Sequence, residues 1–224
     1  MRFLFTSLFV VANLVPLAFA APVSLDPQHM GENIGAGAFA KVYRVREGSR
    51  PLAVKVFTTP IIDESEMSPD SESMYTSDYY GAPTKEMVDR EETILRELGE
   101  FERSGTTPDG KHYIAMKYHR GHHIDWYIKN HILETKGQLE LFENALKDTL
   151  QDLHSHRIVH NDIHDNNVLF WVGDKVEAHL IDFGMGKILE PEDEIEAYSL
   201  LDDIKAENLI SRAGNLISSH AKAA

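Results

Sequence analysis

Cysteine is absent from the 224 residues, which rules out a disulfide framework and a thiolate nucleophile. Positive charge is scarce: 22 Lys and Arg stand against 36 Asp and Glu, a formal net charge of -14. Nucleic-acid binding needs a basic face against phosphate, so that class is excluded, whereas a basic protein partner is admitted without being required. No Asn opens an Asn-x-Ser/Thr sequon, so N-glycosylation is not expected. No internal repeat is present. What remains is a chain 42% hydrophobic and 26% charged, enough for one globular domain with a real core but short for two lobes.

The first twenty residues read as a targeting segment. Arg2 gives a positive start, Phe3 to Phe19 is mostly apolar, and Ala18-Phe19-Ala20 supplies the small-x-small pattern that precedes cleavage before Ala21. Residues 1–20 are therefore expected to be a signal peptide, 21–29 a linker, and the mature protein secreted, with no stable membrane association after cleavage. The competing reading is an uncleaved anchor, but the apolar run is at the short end for a bilayer and Pro16 interrupts it.

Beyond that, strands precede helices. Lys41–Val45 and Leu52–Phe57 are β-branched and aromatic, joined by a turn at Glu47–Pro51. Residues 59–83 are acidic and serine-rich without apolar period, the signature of a solvated insert. From Thr84, a candidate cap, Met87, Ile94, Leu95 and Leu98 fall on one helical face. Pro108-Asp-Gly110 marks a turn before a strand at His112–Tyr118. Helices are predicted over Ile124–Glu134 and Gln138–His154, the second with Leu139, Phe142, Ala145, Leu146, Leu150 and Leu153 in a period near 3.6. Val168–Val172 and Val176–Ile181 read as a hairpin around Gly173-Asp174, and Glu192–Ala221 as a helix with a break at Gly214. This is a two-lobe α+β plan with a cleft between the lobes.

Chemistry concentrates in a few segments. Ile34-Gly-Ala-Gly37 sets glycines between strands, where bare backbone N–H groups approach phosphate oxygens, although taken alone they are better explained by a hairpin turn. Lys55 lies among apolar strand residues, and Glu91 sits on the inward face of the following helix, able to pair with it. Ile158–Leu169 packs His160, Asp162, His164 and Asn167 between apolar segments, and Asp182 ends a buried strand. Two carboxylates and an Asn converging on a cleft make a hard-oxygen site suited to Mg²⁺.

These segments resemble the eukaryotic-type protein kinase superfamily, in its motif order, over residues 30 to about 190. Gly35-x-Gly37-x-Phe39-x-x-Val42 is similar to the glycine-rich loop, with Ala40 in place of the third glycine. Ala53-Val-Lys55, Glu91-x-x-Ile-Leu95, Met116-Lys-Tyr118-His119, His160-Asn-Asp162 with Asn167, and Asp182-Phe-Gly184 resemble the lysine strand, helix glutamate, hinge, catalytic loop and metal triplet. The resemblance implies a two-lobed kinase-like fold with a five-stranded N-lobe (30–118, carrying the insert) and a truncated helical C-lobe (119–215). It implies ATP and Mg²⁺ as cofactors. Gly35, Gly37, Val42, Ala53, Lys55, Met116, Tyr118 and His119 would line the nucleotide site, with Asn167 and Asp182 on the metal. Asp162 would orient the acceptor hydroxyl and take its proton, with Lys55, Glu91 and His164 completing the catalytic set.

Departures narrow the reading. Asn161 replaces the arginine that docks a phosphorylated activation loop. His164 stands where protein kinases carry lysine or alanine, and a histidine there is similar to the aminoglycoside and choline kinase group. No Ala-Pro-Glu triplet follows Gly184, and Glu190–Glu194 occupies the position of a peptide-docking segment. Asp202 or Asp203 either braces the catalytic loop or faces solvent. The truncation is similar to compact kinases that pathogens secrete as effectors. The expectation is γ-phosphoryl transfer to a protein hydroxyl, Ser or Thr ahead of Tyr, on a basic or host protein. A small-molecule kinase and a nucleotide-binding pseudokinase are the alternatives.

Overall fold

A computed structural model describes residues 31–63 and 82–223. The proposed signal peptide and linker, and most of the acidic insert, lie outside the described residues. The ends of the insert meet: Ile62 and Thr84 form a bridge, with Ile62 N–H donating to Pro83 O at 3.0 Å and Lys85 N–H to Ile62 O at 2.8 Å.

The N-terminal lobe is a five-stranded antiparallel sheet of β1 (Glu32–Ala36), β2 (Ala40–Glu47), β3 (Arg50–Phe57), β4 (Phe101–Thr106) and β5 (His112–Lys117), in the order β1-β2-β3-β5-β4. Side chains alternate across a strand, and β3 uses this to serve two layers. Leu52, Val54 and Val56 pack with Val45 and Ala115 on the outer face, while Phe57 and, from β5, Ile114 and Met116 join the main core. Lys55 shares the inward parity of Phe57, so the same register that buries the valines turns the ammonium toward the cleft.

Helix α1 (Lys85–Glu97) crosses that inner face. Thr84 caps it by accepting from Met87 N–H, and Val88, Glu91, Ile94 and Leu95 are its buried residues. Val88 holds the place expected for Met87, one position around the helix. The C-terminal lobe is built on α3 (Lys136–Ser155), opened by a reciprocal Thr135/Gln138 capping box, whose buried stripe is the six residues of the predicted period. Before it, α2 spans only Ile124–Lys129: His131 takes a positive φ of 56° and stops the helix short of the predicted Glu134. β7 (Val168–Val172) and β8 (Val176–Leu180) form the expected hairpin.

The last helix, α4 (Ile195–Ala223), runs without the expected break at Gly214. There the missing side chain serves packing rather than a turn, since a Cβ would sit 3.3 Å from Leu139 Cδ2 of α3. A pairing of two-residue strands, β6 (Ile158–Val159) with β9 (Lys187–Ile188), was not expected from periodicity, because it is too short to show one.

Candidate active site

Register places the first site residues. Gly35 pairs with Val42, and Val42 with Lys55, in a row across β1, β2 and β3, while Ala53 pairs with Met116 of β5. Gly37 N–H donates to Ala40 O at 2.9 Å and closes the β1–β2 turn. A methyl at Gly35 would meet nothing nearer than Val42 at 3.7 Å, so this glycine leaves open space rather than relieving strain. Ala40, in the position of a third loop glycine, is buried opposite Phe57 and belongs to the core.

Lys55 Nζ donates to both oxygens of Glu91, at 2.9 and 2.7 Å, and to Asp182 Oδ1 at 2.9 Å. Burial works to lower the Lys55 pKa, but the attraction of Glu91 and Asp182 outweighs it and holds the ammonium above its ordinary range. Burial likewise pushes Asp182 up, yet Lys55 brings it below the usual carboxylate value, so it is ionised at neutral pH. Half of the Asp182 side chain remains exposed, 51%, against 12% for Lys55, so the carboxylate opens on the cleft. Asp182 has a positive φ of 66°, a sparsely populated conformation held by these contacts.

Across the cleft, Asn167 Nδ2 donates to the Asp162 carbonyl at 2.9 Å and to Asp162 Oδ2 at 3.0 Å. His164 Nε2 lies 3.4 Å from the same oxygen. His164 Nδ1 accepts from Asn166 N–H at 3.2 Å, capping the 3₁₀ turn Asp165–Asn167, which puts the proton of the neutral ring on Nε2, facing Asp162. Among the described residues no donor reaches Oδ1 of Asp162.

The loop beneath is held from α4. Asp202, fully buried, accepts from His160 N–H at 2.7 Å, Asn161 N–H at 2.8 Å and His154 Nε2 at 3.3 Å. Burial opposes its charge, but these donors win and bring its pKa below the ordinary value. Of the two readings of Asp202 and Asp203, bracing is therefore the one realised, by Asp202, while Asp203 is exposed. His160, also fully buried, lies near Ile181 O at 3.0 Å through Nε2 and accepts Asp162 N–H at 3.3 Å through Nδ1. Desolvation lowers its pKa and keeps it neutral.

The segment after Asp182 is fastened along its length. Arg90 Nη1 donates to Gly184 O at 3.2 Å, and Asn161 Nδ2 to Met185 O at 3.1 Å. Leu189 N–H donates to Arg157 O at 2.7 Å, and Arg157 Nη2 to Asp193 O at 2.9 Å. Arg90, Arg157, His154 and Lys205, whose ammonium donates to Asn161 O, went unnoticed in the sequence. Their partners are remote in the chain and no spacing announces them. At the hinge, Tyr118 lies under Arg44, while His119 reaches Glu100 Oε2 at 2.8 Å and stacks on His179 at 4.2 Å. The His119 ring thus fastens the hinge.

Residues 28–213 match the family model of the protein kinase domain. The chain belongs to the protein kinase family. It is also similar to Myosin-IIIb of Mus musculus, 27% identical over an alignment 173 residues long, which covers 73% of this chain and 12% of that protein. The kinase domain thus corresponds to a small part of that relative's length. In this chain the domain consists of a five-stranded N-lobe and a C-lobe of few helices.

Proposed function

We propose that this kinase domain transfers the γ-phosphoryl group of ATP, with Mg²⁺, to a serine or threonine hydroxyl of a protein. The observation that carries the reading is the Lys55–Glu91–Asp182 cluster facing the Asp162–Asn167 pair, with every charged position filled and partnered. Lys55 would hold phosphate oxygens, positioned by Glu91, beneath the roof made by Gly35, Gly37 and Val42, with Ala53, Met116, Tyr118 and His119 around the base. The donors suit Mg²⁺, since Asp182 is ionised and opens on the cleft, and Asn167 spends its amide nitrogen on Asp162, leaving its carbonyl oxygen as a hard ligand. When bound, the cation neutralises charge that builds on the phosphate oxygens. Asp162, with Oδ2 engaged by Asn167 and His164, would take the acceptor proton on Oδ1. The segment Met1–Ala20 supports export as a secreted enzyme.

A small-molecule acceptor is the second reading, favoured by His164 standing against Asp162. The deciding experiment incubates the full chain with labelled ATP, Mg²⁺ and a cell lysate, beside the Asp182→Ala variant. Phosphoserine and phosphothreonine that depend on Asp182, mapped by mass spectrometry, support the proposal. Label found solely in the small-molecule fraction supports the second reading, and no label in either sinks both.

A further inference from the structure

Helix α4 carries two apolar faces. Asp202, Ala206, Leu209, Ile210 and Ala213 form the buried stripe. At 3.6 residues per turn, Leu200, Leu201 and Ile204 fall about half a turn away, and all three are exposed, 56%, 46% and 45%. A helix apolar on opposite faces is built to be covered on both. The exposed face has two different borders. Toward the catalytic loop stand Tyr198, its ring 4.2 Å from Lys187 Nζ, and Lys205, which donates to Asn161 O. Toward α3 stand the exposed carboxylates Glu196, Asp203 and Glu207, within three or four residues of Leu200 or Ile204 and so beside them on the helix. Among the described residues the neighbouring cations are engaged: Lys187 with Asp193, Lys205 with Asn161 O, Arg212 with Asp125, and Lys147 of α3 with Glu143, beside Glu207.

We propose that this face docks a basic amphipathic segment of the protein acceptor. The inference rests on the kinase reading above. Charge selects the occupant. An acidic border beside an apolar strip attracts lysine and arginine flanking apolar anchors, and it repels a second copy of a chain whose net charge is -14. Position fits the same role, because Asn161, tied to Lys205 at the border, immediately precedes Asp162. The acceptor is then held by its apolar anchors on α4 while a neighbouring hydroxyl reaches the cleft.

The test uses two labelled synthetic peptides on the full chain: an amphipathic helix of Leu and Lys carrying one Ser, and the same peptide with each Leu replaced by Gln. Fluorescence anisotropy should show the Leu peptide binding roughly tenfold or more tightly, as burial of even one or two leucines implies. Leu201→Ser with Ile204→Ser should erase that preference while leaving the ATP-induced thermal shift unchanged. Should the double variant fail to fold, Glu196→Lys with Asp203→Lys must instead weaken both peptides. A preference that survives in a folded patch variant overturns the proposal. So does a wild-type dimer in sedimentation that the patch variant dissolves. Because binding is read without transfer, a docked but unphosphorylated peptide upholds the docking surface and counts against the proposed transfer alone.

Discussion

Oδ2 of Asp162 is held by Asn167 and faced by His164, and among the described residues Oδ1 takes no donor, so it is the oxygen the proposed transfer would use. Asp162→Asn keeps the shape and removes the basicity, so turnover should fall roughly 10²- to 10⁴-fold with ATP binding retained, read by single-turnover assay and nucleotide thermal shift. Near-normal turnover would show the proton leaving by another route. Asp202 is the buried acceptor that holds the loop's backbone. Asp202→Ala strips the acceptor from two backbone N–H groups and should cost about 3 kcal/mol in urea melts, while Asp202→Asn, which keeps one acceptor, should cost less. His160 sets a pH dependence. Its pKa is lowered in the folded protein from an ordinary 6.5, so below that pH the unfolded chain binds the extra proton and stability falls. Asp202, also depressed, adds to the loss only as pH falls through the carboxylate range. Urea midpoints should therefore rise from about pH 5 to pH 7, and His160→Gln should flatten the upper part of that rise. An unchanged slope would place the titration elsewhere.

Among the elements, those with long periods were legible in the sequence. The six-residue stripe of α3 and the inward lysine of β3 follow from periods of 3.6 and 2. Features closed by distant partners were not. The β6–β9 pair is two residues long, the end of α2 turns on the backbone of His131, and Gly214 is explained by Leu139. Lys55, Glu91, Asp162 and Asp182 were legible through motifs that resemble the kinase set in its order, whereas Arg90 and Arg157 look like any surface arginine. Together with Asn161, those arginines fix the segment from Gly184 to Asp193 by direct bonds to its carbonyls. That span contains no Ser, Thr or Tyr. Phosphatase treatment should leave activity unchanged. By contrast, Arg157→Ala, which frees the Glu190 and Asp193 carbonyls, should lower both activity and the protease resistance of the segment. A large loss after phosphatase would locate control in the serine-rich stretch 65–77.

For the whole molecule, Lys55 and Asp182 tie one lobe to the other across 127 residues of chain. A ligand engaging both should stiffen the pair of lobes as a unit. At about a hundredfold its Kd, Mg²⁺-ATP is expected to add about 2.7 kcal/mol, a rise in Tm of roughly 5–10 °C. Asp182→Ala should remove the Mg²⁺-dependent part of that rise, measured by scanning calorimetry. The brace of the catalytic loop has a consequence in time. Asp202 follows His160 by 42 residues, so a growing chain that already carries Lys55, Glu91, Asp162 and Asp182 still lacks the acceptor that fixes the loop. Until Asp202 is made, the backbone donors of His160 and Asn161 lack their acceptor. The loop is therefore fixed only once α4 packs over α3, and the proposed transfer waits on that one long-range contact.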